Sequence, residues 1–201
     1  MRLAVTVGFD ARLVVRALAN IPAREVTLVR GATGNEGDAK SKEAVAEIIK
    51  ALGKGTEYVV NLRDPAEGLR QFYSLQFDEI ALAGGPRLLI LLGFVVAALK
   101  KARIFVVPEY SSEAIDVSGL AAVTKLFGLS RRKLEILAVL DGEKDVDTIA
   151  REVGLDNSTV YRHLVTLEEE GLTKSVGKRG KRYHTDKLIS TLSSLILKTE
   201  P

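Results

Sequence analysis

Glycine-rich turns follow three of the short apolar segments in the first half of the chain. These turns are Gly8-Phe9, residues 31–37 and Gly84-Gly85-Pro86-Arg87. Glycine lets backbone N–H groups approach a ligand closely, and a helix that begins at such a turn adds a partial positive charge. The pattern predicts a site for a phosphorylated ligand, although such turns also serve packing alone in many folds. The predicted ligand-binding residues are Thr6, Gly8, Phe9, Asp10, Arg30, Gly31, Thr33, Gly34, Gly84, Gly85, Pro86 and Arg87.

Motifs of the common nucleotide-dependent enzymes are absent. No G-x-G-x-x-G follows the first strand, and the sequence contains no G-x-x-x-x-G-K-[ST]. No Ser-His-Asp or paired-carboxylate arrangement can be assembled. The chain has no cysteine and only two histidines, so disulfides and thiolate nucleophiles are excluded and a zinc site is disfavoured. We therefore expect no catalytic residues, no metal and no cofactor.

A helix-turn-helix followed by a basic hairpin lies near the end of the sequence. Apolar spacing predicts three helices between Ser130 and Gly171, and two short extended runs follow around residues 177–182. A helix that can enter the major groove beside a charged hairpin is typical of DNA-binding domains. The predicted DNA-contacting residues are Ser158, Thr159, Tyr161, Arg162 and His163 on the third helix, and Lys178, Arg179, Lys181 and Arg182 in the hairpin.

The distribution of charge supports this prediction, whereas the net charge of +3 does not. Residues 174–187 contain six basic side chains and one acidic side chain. A basic patch beside a groove-reading helix favours contact with the phosphates of DNA over a merely solvated loop.

Short apolar strands alternate with helices in the first half. The predicted strands are residues 3–7, 26–29, 58–62, 79–83 and 104–107. Such alternation predicts an α/β fold, a Rossmann-like and mainly parallel sheet with helices on both faces. We expect this domain at residues 1–110, a linker at 111–127, and an α+β winged helix-turn-helix domain at 128–201.

One uncharged apolar run covers residues 88–99. A membrane-spanning helix needs about 20 residues, so this run predicts a helix buried in a core or a dimer interface and no membrane partner. The sequence also opens directly on a strand without a charged and then apolar leader. Cytoplasmic residence is therefore expected.

The whole chain resembles the archaeal CRISPR-associated transcription regulators that join a CRISPR-associated Rossmann (CARF) domain to a winged helix-turn-helix. The first-strand motif of that family corresponds to Thr6-Val7-Gly8-Phe9, and its fourth-strand motif corresponds to residues 82–93, LAGGPRLLILLG. The sequence departs from many members at Ala83, where they carry Ser or Thr. The resemblance implies a homodimer with a two-fold pocket for a cyclic oligoadenylate, most simply cyclic tetra-adenylate, and binding to double-stranded DNA at a CRISPR-related promoter.

Three functions fit these observations. The leading hypothesis is a ligand-responsive DNA-binding regulator that is not an enzyme. A ring nuclease that cleaves cyclic oligoadenylate in the same pocket is a second, because in-line attack by a positioned 2′-hydroxyl needs little general-base machinery. A winged-helix regulator that senses another small phosphorylated metabolite is a third, since a parallel sheet alone does not fix the ligand.

Overall fold

A computed structural model describes residues 1–177 and 180–199. The chain divides into two compact units, Met1–Ser118 and Gly119–Pro201. Each unit has its own hydrophobic core.

The first unit is a six-stranded sheet with four helices. Its strands lie in the order β3-β2-β1-β4-β5-β6, with β1 to β5 parallel and β6 antiparallel to β5. The predicted α/β fold is thereby confirmed. The elements are β1 (Arg2–Thr6), α1 (Ala11–Asn20), β2 (Glu25–Ala32), α2 (Gly37–Leu52), β3 (Thr56–Asn61), α3 (Pro65–Ser74), β4 (Glu79–Leu82), α4 (Arg87–Lys100), β5 (Arg103–Val106) and β6 (Ile115–Asp116).

Helices cover both faces of this sheet because successive strand residues point to opposite sides. Leu3 and Val5 pack in one core with buried residues of α1 and α2. Gly93 of α4 lies against Ile80, on the opposite face, and against Phe72 of α3. Strands that are buried on both faces explain why β1 and β4 read as nearly continuous apolar runs.

Capping side chains set where the helices of the first unit begin. Asp10 accepts a hydrogen bond from the N–H of Arg12 at the start of α1. Asp64 does the same for two N–H groups of α3, and Pro65 occupies the first helical position. Helix α2 begins at Gly37, which is the last residue of the glycine-rich turn at residues 31–37.

The predicted linker at residues 111–127 is divided between the units in the structure. Residues 115–116 form β6, which pairs with β5, the last of the parallel strands. The side chains of Arg16 and Asn20 donate hydrogen bonds to backbone carbonyls of residues 109–112. Leu126, by contrast, is fully buried in the core of the second unit. The first unit thus extends to Ser118 and the second begins at Gly119, whereas the sequence analysis placed the domain ends at residues 110 and 128.

The second unit is a winged helix. Its small sheet has the order β7-β9-β8, with antiparallel pairing throughout. A 3-10 helix (Ser118–Ala122) leads into its elements, which are α5 (Val123–Leu126), α6 (Arg131–Val139), β7 (Lys144–Asp145), α7 (Val146–Val153), α8 (Asn157–Glu169), β8 (Lys174–Val176), β9 (Arg182–His184) and α9 (Lys187–Thr199). Leu134, Leu164 and Tyr183 are among the side chains buried in its core.

None of the helices in the described part of the chain is long and apolar enough to cross a membrane. Helix α4 contains the apolar run found in the sequence, and it covers one face of the first sheet through residues such as Leu89 and Val96.

Candidate ligand pocket and nucleic-acid interface

A cavity of about 220 Å³ lies beyond the carboxyl ends of β1, β2 and β4. In open parallel sheets ligands bind at this edge, where neighbouring strands lead to helices on opposite faces. The cavity brings together six of the predicted ligand-binding residues and three that the sequence analysis missed. The six are Gly8, Phe9, Gly31, Thr33, Gly85 and Pro86, and the three are Gly37, Asp38 and Ser41.

Two glycines form the floor of the cavity at the ends of β1 and β4. A Cβ atom on Gly8 would lie 2.6 Å from the backbone nitrogen of Gly85, closer than any real side chain approaches. Gly85 has φ +110°, a region that favours glycine, and a Cβ there would lie 2.9 Å from the carbonyl oxygen of Val7. Backbone therefore lies directly against backbone at this end of the cavity, and a side chain on either glycine would not fit.

Thr6 and Gly84 hold this floor in place and do not line the cavity. Thr6 is fully buried. Its hydroxyl oxygen accepts hydrogen bonds from the backbone N–H groups of Ala83 at 3.0 Å and Gly84 at 3.3 Å. Thr6, which was predicted to bind the ligand, is thus placed behind the cavity wall, where its hydroxyl holds the turn after β4.

The turn between β2 and α2 is closed by the carboxylate of Asp38. This carboxylate accepts from the backbone N–H of Thr33 at 3.0 Å, from the Thr33 hydroxyl at 2.8 Å and from the N–H of Gly34 at 2.7 Å. These hydrogen bonds, the one from the Thr33 N–H first, hold the pKa of Asp38 below its usual value. The N–H groups of Thr33 and Gly34 are already engaged, which differs from the expectation that this turn offers them to a phosphate.

Phe9 extends from the end of β1 across the mouth of the cavity. Its side chain is 66% exposed. The ring lies against Gly37 at the start of α2, where a Cβ atom would come within 3.0 Å of the Phe9 Cζ atom. An exposed aromatic face at the edge of a cavity can stack on a planar ring of a ligand.

The predicted charged residues around the cavity differ in whether an ion pair within the protein already engages them. Arg30 forms an ion pair with Glu57, and only 12% of its side chain is exposed. Asp10 pairs with Arg12 at 2.8 Å, and hydrogen bonds from Arg12 lower the pKa of its carboxyl. Arg87 is exposed at the first position of α4 and is not part of the cavity wall.

The described residues contain no group of three or more His, Cys, Asp or Glu side chains that could hold a metal ion. The polar groups of the cavity wall are instead the hydroxyls of Thr33 and Ser41 and the carboxylate of Asp38. Both hydroxyls already donate within the turn, Thr33 to the Asp38 carboxylate and Ser41 to the Asp38 backbone carbonyl, so this set is left to accept hydrogen bonds from a ligand.

The second candidate surface is the exposed side of α8 in the winged helix. Gly154 ends α7 with φ +65°, and Asp156 begins α8 by accepting a hydrogen bond from the N–H of Thr159 at 2.9 Å. Val160, Leu164 and Leu167 are fully buried on the inner side, as their spacing predicts. The outer side of the first two turns carries the exposed side chains of Ser158, Tyr161 and Arg162.

Hydrogen bonds within α8 already orient several of the predicted DNA-contacting side chains. The Ser158 hydroxyl donates to Asp156 Oδ1 at 2.5 Å. The Arg162 guanidinium donates a hydrogen bond to the hydroxyl of Thr159 at 3.2 Å. Thr159 itself is half-buried. Burial, followed by the positive charges of Lys133 and Arg162, lowers the pKa of the half-buried His163.

The hairpin of β8 and β9 forms the wing. Tyr183 on β9 is fully buried and anchors the hairpin to the core. Lys181 and Arg182 are exposed next to it. Lys178 and Arg179, which were also predicted to contact DNA, lie outside the described residues.

Comparison with known proteins assigns each unit to a family. Residues 1–118 match the family described as the Csa3 CRISPR-associated Rossmann-like domain, and residues 121–190 match a winged helix-turn-helix family. The chain belongs to the Csa3 family. A relative from Thermoproteus tenax, Csa3, is 42% identical over 197 residues, which are 98% of this chain and 97% of that protein. Its name describes a CRISPR locus-related DNA-binding protein, so the Csa3 assignment supports the prediction of a regulator rather than an enzyme.

Solved structures resemble this Csa3-family chain only distantly. A MarR family transcriptional regulator from Silicibacter pomeroyi is 17% identical with a TM-score of 0.32, and the match covers 37% of this chain and 57% of that protein. Can2 from Sulfobacillus thermosulfidooxidans, solved in complex with cyclic tetra-adenylate, is 14% identical with a TM-score of 0.44. The match to Can2 covers 98% of this chain and 61% of the other.

Proposed function

We propose that this protein is a homodimeric DNA-binding transcription regulator of a CRISPR system, whose first unit binds a cyclic oligoadenylate, with cyclic tetra-adenylate as the leading ligand. The observation that carries the proposal is the exposed side of α8 beside a wing with free cations, in a chain of the Csa3 family.

Charge and shape support DNA binding by the second unit. Among the described residues, Arg162, Lys174, Lys181 and Arg182 form no ion pair with a carboxylate. Cations that are not neutralised by the protein can release counterions from the phosphates of DNA, and a capped helix with short polar side chains fits the major groove. The name of the Thermoproteus tenax relative points to the same partner.

The small size of the cavity indicates that only part of a cyclic oligonucleotide could enter it. A drug-sized ligand fills a pocket of about 300–1,000 Å³, whereas this cavity holds about 220 Å³. One nucleobase is a suitable occupant, because Phe9 can stack on it and Asp38 or Ser41 can bond to its edge. The rest of a cyclic oligonucleotide would then lie along the rim, where Gly85 and the amino end of α4 lie.

An unpartnered apolar stripe on α4 supports the homodimer. Leu91, Val95 and Leu99 recur every four residues on one side of the helix and are 62%, 43% and 62% exposed. A two-fold interface places the same stripe of each protomer against its partner. Because α4 begins at the cavity rim, such a dimer would bring two cavities close to one another, which suits a ligand that itself has two-fold symmetry.

Fluorescence anisotropy with labelled DNA from the chain's own CRISPR promoter tests this function. We expect salt-sensitive binding that is tighter than binding to unrelated duplex, and a change in affinity when cyclic tetra-adenylate is added. Equal, weak binding to all duplexes would overturn the regulator assignment. No effect of the ligand on DNA affinity, with no heat in titration calorimetry, would overturn the sensing assignment alone. The ligand should be recovered intact by chromatography, since its cleavage would favour the ring nuclease.

A further inference from the structure

The cations at the carboxyl edge of the first sheet differ in whether a carboxylate already neutralises them. Arg12 pairs with Asp10, and Arg30 pairs with Glu57. Within the described part of the chain, Arg63 forms no ion pair, and its guanidinium is held by a backbone carbonyl instead. Arg63 follows β3 and was not singled out by the sequence analysis.

The position of Arg63 is fixed on both sides. Its backbone N–H donates to the side-chain oxygen of Asn61 at 3.0 Å, and the next residue, Asp64, caps α3. Its side-chain Nε donates to the carbonyl oxygen of Thr33 at 3.3 Å. Thr33 lines the cavity and Arg63 does not, so this bond places the guanidinium beside a lining residue, just outside the cavity wall.

Gly34 makes room for this arrangement. It has φ +80°, a conformation that other residues rarely adopt. The guanidinium of Arg63 also lies in the space that a Cβ atom on Gly34 would fill. Both the positive φ of Gly34 and the packing of the Arg63 guanidinium against it therefore require glycine at this position.

We propose that Arg63 binds a phosphodiester group of the ligand at the rim of the cavity. The inference rests on the proposed function and adds to it a phosphate site outside the base pocket. A guanidinium has five N–H donors in a planar fork, and the bond to Thr33 uses one of them. The remaining donors can hold two oxygens of one phosphate. The N–H groups of Thr33 and Gly34 are engaged by Asp38, so Arg63 takes the part expected of them at this turn.

Four variants of the full chain, tested by titration calorimetry with cyclic tetra-adenylate, separate phosphate binding from support of the turn. Arg63→Ala removes both the charge and the bond to Thr33. Arg63→Lys keeps the charge, whereas Arg63→Gln keeps an N–H donor that can reach the Thr33 carbonyl. Arg70→Ala is the control, because Arg70 is an exposed arginine on α3 that pairs with Glu67.

We expect Arg63→Ala to weaken binding about 10- to 100-fold, the range for a hydrogen bond to a charged group. Arg63→Lys should recover part of that loss, Arg63→Gln none of it, and Arg70→Ala should match the wild type. The dependence of affinity on salt should also be shallower for Arg63→Ala and Arg63→Gln than for Arg63→Lys.

Different outcomes contradict the phosphate site at Arg63 and the ligand-sensing function. If the wild type binds and Arg63→Ala binds equally well, the phosphate site is wrong and the sensing function stands. If Arg63→Gln restores affinity and Arg63→Lys does not, Arg63 only supports the turn. If the wild type itself does not bind cyclic tetra-adenylate, the sensing function and the phosphate site both fail. Should Arg63→Ala lower the melting temperature, the comparison of the lysine and glutamine variants decides.

Discussion

The hydroxyl oxygen of Thr6 accepts a hydrogen bond from the backbone N–H of Ala83 at 3.0 Å, and so joins the ends of β1 and β4. The paired register of these strands runs from Leu3 and Glu79 to Val5 and Ala81. Beyond this pair, the Thr6 side chain rather than a backbone carbonyl accepts the hydrogen bond that links the two strands. Thr6 therefore aligns the turn that contains Gly84 and Gly85 with the end of β1, and the floor of the cavity depends on it.

Thr6→Val should lower both stability and ligand affinity. Valine keeps the shape of threonine but leaves the N–H of Ala83 without an acceptor in a buried place, at a cost of about 1–3 kcal/mol in the free energy of unfolding. Urea denaturation measures this cost. Thr27→Val is the matched control, since the Thr27 hydroxyl contacts only that of Thr56, at 3.4 Å. Equal stability of the two variants would contradict the role of Thr6.

Gly8→Ala should destabilise the first unit and abolish ligand binding. The new Cβ would lie 2.6 Å from the backbone nitrogen of Gly85, which cannot move as the end of a flexible side chain does. Overpacking of this kind costs about 1–3 kcal/mol. Gly142→Ala makes the same chemical change where no atom lies within 4 Å, and its melting temperature should match the wild type. An unchanged melting temperature for Gly8→Ala would refute the close contact.

The sequence predicted the elements of the fold because their signals are local. Asp10 and Asp64 cap helices within two or three residues of themselves, and Gly154 ends α7. The alternation of apolar strands and helices implies a parallel sheet whatever the distant contacts are. The glycine turns at the ends of β1 and β4 could be found in the same way, because they directly follow their strands.

Other features depend on partners that are far apart in the sequence or on geometry that the sequence does not encode locally. Arg30 was predicted to bind the ligand, but its side chain meets Glu57 on the neighbouring strand. Asp38 was not among the predicted site residues, and only the folded turn shows that its carboxylate accepts from two backbone N–H groups. Strand β6 has only two residues, too short for a pattern in the sequence to reveal, and is defined by its pairing with β5.

Asp78→Asn should reduce stability at neutral pH and not at very low pH. Hydrogen bonds from the side chain and backbone of Arg2 lower the pKa of Asp78 to about 2 from 3.8. A carboxyl whose pKa is lower in the folded state stabilises the fold above its unfolded pKa and loses this contribution as the pH falls through its folded pKa. The difference between variant and wild type should therefore narrow as the pH falls through 3.8 and disappear only below the folded pKa of about 2.

Thermal melts across this pH range provide the measurement. Glu47→Gln, which removes an exposed carboxylate on α2 that has no ion pair among the described residues, is the control. A constant difference between Asp78→Asn and wild type from pH 7 to pH 2 would show that the ion pair with Arg2 is not its source.

Leu91→Glu should convert the dimer to a monomer. Leu91 is 62% exposed on the apolar stripe of α4, and a carboxylate there would have to be buried without a partner in a two-fold interface. Light scattering at micromolar concentration gives the mass. Val15→Glu, on an exposed apolar residue of α1, is the matched control and should remain a dimer. A wild type that is monomeric with and without DNA would refute the interface.

Arg162→Ala should reduce specific DNA binding, and the double variant Lys181→Ala/Arg182→Ala should reduce binding to every duplex. Arg162 is exposed on the outer side of α8, which faces the major groove in the proposed function. Loss of a base contact there costs about 1–3 kcal/mol for the cognate site. The two wing cations face phosphates in this proposal, so their loss should lower the slope of log K against log salt by about 2.

Anisotropy titrations with cognate and scrambled duplexes over a range of salt concentrations distinguish the two effects. Lys42→Ala/Lys50→Ala removes the same charge from exposed positions on α2 in the first unit and should leave the slope unchanged. If the wing variant loses affinity only for the cognate duplex, the wing reads bases. If it behaves as the wild type at every salt concentration, the assignment of Lys181 and Arg182 to the DNA interface is wrong, and α8 alone would have to account for binding.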